Sequence, residues 1–400
     1  MRNTLTKCLA LINKPSSLGW FMLVIVAGAL LRLAVAQRGF NFDIASYRIV
    51  ADIMANGGNV YEETQRYNYG PIWFHILAFL DTLPFPISDP LLSLRWKVTS
   101  FLSITDIAIA VCLYRWYGFK IATLFFLNPI SIIITGYHSQ FDNLAILMAL
   151  ISIKTLDNSS NKLSYKTLLG LFLLGVCLSI KHLLFLFPFW LAFKNTRWRD
   201  KLITLSIPYT VFLASFLPYL SKGADGILNH VFLYRGFANA PFWNGVAPEV
   251  IIDKIPIFVL FIGTLLFLGL FLRTKKPLES LYLYTIALVI FSSAVANQYL
   301  AICLVAISVH SNYIYTLYSV AGTIYLLASS DGLHFSLLQH YLGKSGNSSV
   351  IGYQELVFLL FLGLLLQLMS AETRTKTLHL VKKYILCLKQ EIIMQIKSPW

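Results

Sequence analysis

Apolar residues in this chain come in long runs rather than in alternation. Twelve stretches, at 19–36, 98–114, 119–135, 141–156, 164–180, 183–193, 202–220, 255–273, 278–294, 297–309, 311–329 and 351–370, are apolar over most of their length. About 20 residues of that character cross a bilayer as a helix. A further apolar segment, 71–83, is shorter, opens at Pro71, holds His75 and ends near Asp81. Its length predicts a re-entrant or interfacial helix rather than a span. The densest polar insert follows the first run, at 40–73, and contains Asp43, Asp52, Glu62 and Glu63 with Tyr47, Tyr61, Tyr67 and Tyr69. Behind Asp43, Ile44, Tyr47, Ala51 and Met54 recur at helical spacing, and Asn56-Gly57-Gly58 ends the helix. Gly70-Pro71 then opens the next apolar segment, with proline in the first turn.

This pattern predicts an all-α polytopic membrane protein of about twelve transmembrane helices, with juxtamembrane helices in the first outer loop. Residues 1–370 read as one integral-membrane domain. Residues 371–400 read as a basic amphipathic tail on the inner leaflet, with Leu378, Val381, Ile385, Leu388 and Ile392 on one face and Lys382, Lys383 and Lys389 between them. Lys7 and Lys14, the first apolar run and Ala34-Val35-Ala36 imitate a signal peptide, but Arg32 beside the cleavage-like site predicts a retained span.

Composition agrees. Of 400 residues, 57% are hydrophobic and 12% charged, and the mean hydropathy is +0.68, which excludes an ordinary soluble domain. The net charge of +14 does not point to nucleic acid, because the basic residues lie between apolar runs. With the N-terminus inside and 71–83 not crossing, most basic residues fall on inside loops, including Lys194, Arg197, Arg199 and Lys201, and most acids fall outside. The five cysteines have neither a disulfide framework nor metal-ligand spacing.

On this topology several polar clusters share the outer side with Asp43: Asn128-Pro129 and the run 136–143, reading GYHSQFDN; Lys181-His182; Tyr234-Arg235; and Asn297-Gln298-Tyr299. Each has a plain reading. Asp43 serves as a helix N-cap, the polar span ends are interfacial turns, Lys181 snorkels to the headgroups, and Asp106 pairs with Thr105 or a neighbouring helix. The sharper reading makes Asp43 a base and Lys181, an ionisable group between two apolar runs, an anion ligand.

The order of motifs carries a resemblance. A first span is followed by D-x-x-x-Y, G-x-x-V-Y and Y-x-Y-G-P, then N-P with G-Y-H-S-Q-F-D-N, then S-I-K-H and N-Q-Y. From about residue 19 to 310 this resembles the GT-C superfamily of polyprenyl-phosphate-sugar-dependent glycosyltransferases. It is similar to the glucosyltransferases of lipid-linked oligosaccharide assembly, whose second motif has an H-F-Q-Y-N core, and to bacterial and GPI-anchor mannosyltransferases, which carry Q-Y near the last spans.

The resemblance implies an inverting transfer of mannose or glucose from a polyprenyl-phosphate-hexose to an extracytoplasmic glycan or glycolipid acceptor. Asp43 would be the general base and Asp142 would orient the acceptor or the base. Lys181, His182 and Arg235 would hold the donor phosphate. Tyr47, Tyr67, Tyr69, His138, Gln140, Gln298 and Tyr299 would contact substrate. The first loop reads N-F-D-I without a D-x-D pair, and Asp142 replaces the tyrosine of the glucosyltransferase core, so no metal or cofactor is expected. Membrane lipids are the other expected partner. The expected setting is a bacterial inner membrane with the site facing outside, or the endoplasmic reticulum with the site in the lumen. The rival reading is a transporter or flippase of a polyisoprenoid-linked sugar or lipid. That class puts its charges near the midplane and often has two related halves.

Overall fold

The computed structural model describes residues 17–157, 164–234, 240–248, 254–294, 296–329, 332, 333, 335, 343, 344, 348, 349 and 351–369. Arg235 and the tail 371–400 lie outside the described residues. The described chain is helical apart from a two-residue antiparallel pairing of Gly343–Lys344 with Ser348–Ser349.

Three helical stretches are long and apolar enough to cross a membrane: Ser17–Ala36, Pro90–Tyr117 and Trp198–Phe232. A fourth arises if Phe119–Phe126 and Pro129–His138, which meet at a 47° bend, act as one. The other expected spans are shorter or broken. Ile257–Phe271 and Pro277–Phe291 have 15 residues each, and Tyr165–Ile180, Tyr313–Ala328 and Tyr353–Leu368 have 16. At 1.5 Å per residue these reach about 24 Å, against a hydrocarbon core of about 30 Å. The stretch expected at 297–309 is two short helices meeting at Cys303. In place of the loop expected after 220, the chain stays helical through Phe232.

Nine helices and one π-turn place the site. We label Ser17–Ala36 α1, Asp43–Ala55 α2 and Val60–Glu63 α3. Pro71–Thr82 is α4, Pro90–Tyr117 is α5 and Phe119–Phe126 is α6. Pro129–Ile133 (α7) runs into a π-helical turn, Ile134–His138; Asp142–Asp157 is α8 and Tyr165–Ile180 is α9. α5 starts earlier than the apolar run because Asp89 caps it, accepting from Leu92 N at 2.8 Å, with Pro90 at the first position.

The helices have two distinct ends. Ser17 Oγ lies 2.9 Å from Tyr114 Oη, so the start of α1 lies beside the end of α5. Lys154, in the last turn of α8, covers the Trp116 ring at 5.4 Å. Tyr117 Oη lies 3.1 Å from Tyr282 Oη. Lys194 Nζ donates to the carbonyls of Arg273 and Lys275, at 3.2 and 2.6 Å. The opposite end gathers the residues after α1, the start of α5, the start of α8 and the end of α9.

Apolar and polar residues are arranged inside out. α1 shows Trp20, Leu23 and Leu30 outward, while its arginine, Arg32, is fully buried. Arg32 Nε bonds Asp106 Oδ2 at 2.9 Å, Nη2 bonds Ser131 Oγ at 2.8 Å, and Nη1 bonds the carbonyls of Gly28 and Phe126. Asp106 also accepts from Thr135 and Asn143, both at 2.7 Å. Thr105, the partner considered for Asp106 in the sequence, instead donates to Phe101 O. This staple joins α1, α5, the bent pair and α8. Gly136 is required beside it, since a Cβ there would lie 2.6 Å from Arg32 O.

Candidate functional site

Asp43 opens α2, but it is not the cap. Phe42 holds that position, and its side chain makes no cap bond. Asp43 Oδ2 instead accepts from Asn41 Nδ2 at 3.1 Å and from Gln140 Nε2. Asn41 Oδ1 takes the Asp43 backbone N–H at 3.2 Å. One carboxylate oxygen is therefore anchored by two amides, while Oδ1 accepts no hydrogen bond among the described residues. The residue is half-buried.

Gln140 reaches Asp43 because of local backbone geometry. The π-turn Ile134–His138 is closed by Ser139 in the left-handed region, φ 50°. Such conformations are uncommon outside glycine and gather at functional sites. Ser139 Oγ is fixed 3.0 Å from Thr99 Oγ1 on α5. His138 Nδ1 lies 3.2 Å from Asn41 Nδ2. An amide N–H can only donate, so the neutral imidazole carries its proton on Nε2. Nε2 is buried and has no partner among the described residues.

Two residues on, Asp142 opens α8. Its Oδ2 accepts from Lys181 Nζ at 2.8 Å, with both side chains buried. Lys181 is the extended residue between α9 and the 3₁₀ turn His182–Leu184. Its ammonium lies over the rings of Phe141 at 4.7 Å and Tyr69 at 4.9 Å. Phe141 stacks on Trp73 at 4.1 Å. Gly70 allows the approach, since a Cβ there would stand 2.0 Å from the Ser179 carbonyl oxygen.

Tyr47 and Tyr69 lie near both carboxylates. Burial raises the Tyr47 phenol well above its ordinary value, with Tyr69, Asp43 and Asp142 adding to it. Burial does the same for Tyr69, reinforced by Asp43, Asp142, Tyr299 and Tyr234. Both stay neutral hydrogen-bonding groups. Buried polar atoms lacking partners among the described residues include Tyr47 Oη, His138 Nε2, Gln140 Oε1, Asp142 Oδ1 and His182 Nδ1. Each such atom costs about 1–3 kcal/mol of desolvation, so a group of them marks a place built to meet polar matter.

The structure thus brings together Asp43, Tyr47, Tyr69, His138, Gln140, Asp142 and Lys181, with Tyr299 within electrostatic range of Tyr69. Others stand apart. Tyr67 is buried in a ring cluster with Tyr61 and Phe74, and its hydroxyl donates to Gly70 O at 2.5 Å, which is a packing role. Gln298 stands just before the helix Tyr299–Ile302, makes no side-chain cap bond, and makes no bond to the cluster among the described residues. Asn128 caps α7, donates to Ser319 Oγ at 3.0 Å and lines a separate cavity of about 290 Å³. Among the described residues no three His, Cys, Asp or Glu side chains converge as a metal would require.

Sequence reasoning missed Asn41, Arg66 and Arg95. Asn41 was legible only as a polar residue two places before Asp43. Arg66 covers the Phe42 ring at 3.7 Å and donates to Phe42 O at 3.4 Å. Arg95 was hidden because the apolar run starts after it, although Asp89-Pro90 already signals the earlier helix start.

The fold and the site together define an all-helical protein with several helices of membrane-spanning length and a polar site at one end. No protein-family model, curated protein or solved structure matches the chain.

Proposed function

We propose that the chain is a polytopic inverting glycosyltransferase that moves a hexose from a polyprenyl-phosphate-hexose to a hydroxyl of a glycan or glycolipid. The observation that carries this reading is the Asp43 carboxylate, anchored through Oδ2 by Asn41 and Gln140 with Oδ1 left for a ligand. A helix cap needs no such arrangement. A base does, since it must be aimed at one proton.

In the proposed step the acceptor O–H gives its proton to Asp43 Oδ1. The acceptor oxygen forms a bond to the anomeric carbon from the face opposite the phosphate. The anomeric C–O bond breaks with its electron pair going to the phosphate oxygen, and polyprenyl phosphate leaves. The donor is a phosphodiester and the departing group a phosphate monoester, a stable anion, so no strong general acid is needed. A cation must balance the growing charge. Lys181 fills that role only by exchanging Asp142 for phosphate, one anion for another. Tyr47, Tyr69 and His138 would meet sugar hydroxyls with buried polar atoms.

In this reading the shorter apolar helices complete a multi-pass arrangement of about twelve crossings, paired end to end or with the bilayer thinned around them. By the positive-inside rule the end carrying Lys154, Lys194, Arg273 and Lys275 faces the cytoplasm, and the Asp43 end faces outside or the lumen. The ion pair on the long helices α1 and α5, Arg32–Asp106, has its donors and acceptors largely satisfied by protein, which favours a staple over the midplane substrate site of a transporter.

The test is Asp43→Asn in purified, membrane-inserted protein given labelled polyprenyl-phosphate-hexoses and a lipid extract. Asparagine keeps the shape and cannot take a proton. Turnover is expected to fall roughly a hundred- to ten-thousand-fold, with folding retained. Turnover within a few-fold of wild type would end the assignment of Asp43 as base.

A further inference from the structure

Four described cations are buried, and three are accounted for. Arg32 pairs with Asp106 and Lys181 with Asp142. Lys97 donates to Asp81 O at 2.9 Å, in a corner where Arg48 already holds the Asp81 carboxylate. Arg95 is different. It is 5% exposed. Its guanidinium makes one hydrogen bond among the described residues, from Nη2 to Gly39 O at 2.6 Å, and Nε is buried without a partner. No carboxylate pairs with it among the described residues. It lies against the rings of Phe40 at 5.2 Å and Trp96 at 5.8 Å. A buried guanidinium without a counter-ion is costly, and such groups in apolar helices mark binding positions.

Its place in the fold gives it a use. Thr99, one helical turn further along α5 and about 6 Å away in rise, holds Ser139. Gly39, which Arg95 grips, lies against the Tyr137 ring. Arg95 therefore stands in the wall formed by 137–139 and the loop 39–42. That same wall holds Asp43 through Asn41 and Gln140 and presents the unpartnered Nε2 of His138. A planar guanidinium with an unpartnered Nε–H in the same wall as a neutral N–H donor is suited to tetrahedral oxyanions.

We propose that Arg95 is the seat of a phosphate mono- or diester entering the Asp43 site, with His138 Nε2–H as its second donor. On the glycosyltransferase reading this is the phosphate of the lipid donor. The assignment needs no exchange of partners, unlike one to Lys181.

The experiment uses the full chain in phosphatidylcholine nanodiscs and reads binding by tryptophan fluorescence. Farnesyl phosphate, farnesol and inorganic phosphate are the probes. Wild type is expected to bind farnesyl phosphate at least tenfold more tightly than Arg95→Gln does, with Arg95→Lys in between. Farnesol should bind both equally weakly. Lys166→Gln, which removes an exposed charge elsewhere, should bind like wild type. Inorganic phosphate competing as well as farnesyl phosphate would assign the seat to free phosphate; failure to compete would assign it to a lipid-borne one. Equal binding of farnesyl phosphate by wild type, Arg95→Lys and Arg95→Gln overturns the proposal, as does a drop shared by Lys166→Gln. If Arg95→Gln does not fold, Arg95→Lys with unchanged affinity and unchanged preference over farnesol does so too. Arg95-dependent binding without sugar transfer by wild type would sink the glycosyltransferase reading and leave the seat standing. Asp43-dependent transfer with Arg95-independent binding would do the reverse.

Discussion

The staple Arg32–Asp106 offers a test of the fold that does not depend on any activity. Both side chains are fully buried. Asp106→Leu removes the acceptor of three close bonds, from Arg32 at 2.9 Å and from Thr135 and Asn143 at 2.7 Å each. Three hydrogen bonds to a charged group at about 1.5–3 kcal/mol each would sum to roughly 5–9 kcal/mol. Arg32 keeps Ser131, two carbonyls and the Phe126 ring, so we expect the lower figure for a broken buried pair, about 3–5 kcal/mol. Arg32→Met should cost a similar amount, because it leaves the carboxylate buried. The double variant Arg32→Met/Asp106→Leu removes both charges and leaves only neutral groups short, the donors of Thr135 and Asn143 and the acceptors Ser131 Oγ, Gly28 O and Phe126 O, so it should cost about 2 kcal/mol less than the sum of the singles. Unfolding in mixed micelles with increasing dodecyl sulfate, followed by the fluorescence of the eight tryptophans, reads all four proteins. Strict additivity, or singles within 1 kcal/mol of wild type, would refute the pairing.

Two further outcomes follow from the site's packing and ionisation. Gly70→Ala should destabilise by about 1–3 kcal/mol and loosen the 64–70 loop from Lys181, because its Cβ would meet the Ser179 backbone. Gly263→Ala, which has open space around it in a helix interior, should be neutral or stabilise by up to about 1 kcal/mol, and the same unfolding assay separates the two. The raised pKa of the Tyr47 and Tyr69 phenols means the unfolded chain ionises first, near its ordinary pH of about 10. Their contribution to stability is therefore complete below that pH and is lost as pH climbs towards the folded values. Tyr47→Phe should flatten the alkaline fall in unfolding midpoint, and an unchanged slope would contradict its burial between the carboxylates.

Much of the helical class and the grouping of the site was legible in the chain. Runs of apolar residues specify helices, and the polar clusters at 43, 138–142 and 181 lie at run ends, which the fold gathers at one place. Span number was not legible. Apolar composition does not record where Pro129, Pro188 and the 3₁₀ and π turns break the helices. Nor does sequence alone show which charges meet. Lys181 and Asp142 are 39 residues apart, and Arg32 and Asp106 are 74 apart. Polar residues of one kind thus looked alike until packing assigned them. Asp43 shows the same limit. Its place at a helix start suggested a cap, and only the neighbouring amides of Asn41 and Gln140 distinguish the two readings.

The segment from Ser131 to Asn143 explains why stability and site are tied together. Ser131, Thr135 and Asn143 turn to the Arg32–Asp106 staple. His138, Gln140 and Asp142 turn to Asn41, Asp43 and Lys181. In a regular α-helix Gln140 would point away from His138 and Asp142, since residues two apart lie about 200° apart around the axis. The π-turn widens the spacing after Ile133, and the left-handed Ser139 ends it. Asp142 and Asn143 can then leave on opposite errands from adjacent positions. The strain at Ser139 is held by Thr99 on α5, the helix that also carries Asp106 and Arg95. One helix therefore fixes the staple, the turn and Arg95 in a single register, and a shift of α5 would move all three relative to the Asp43 carboxylate.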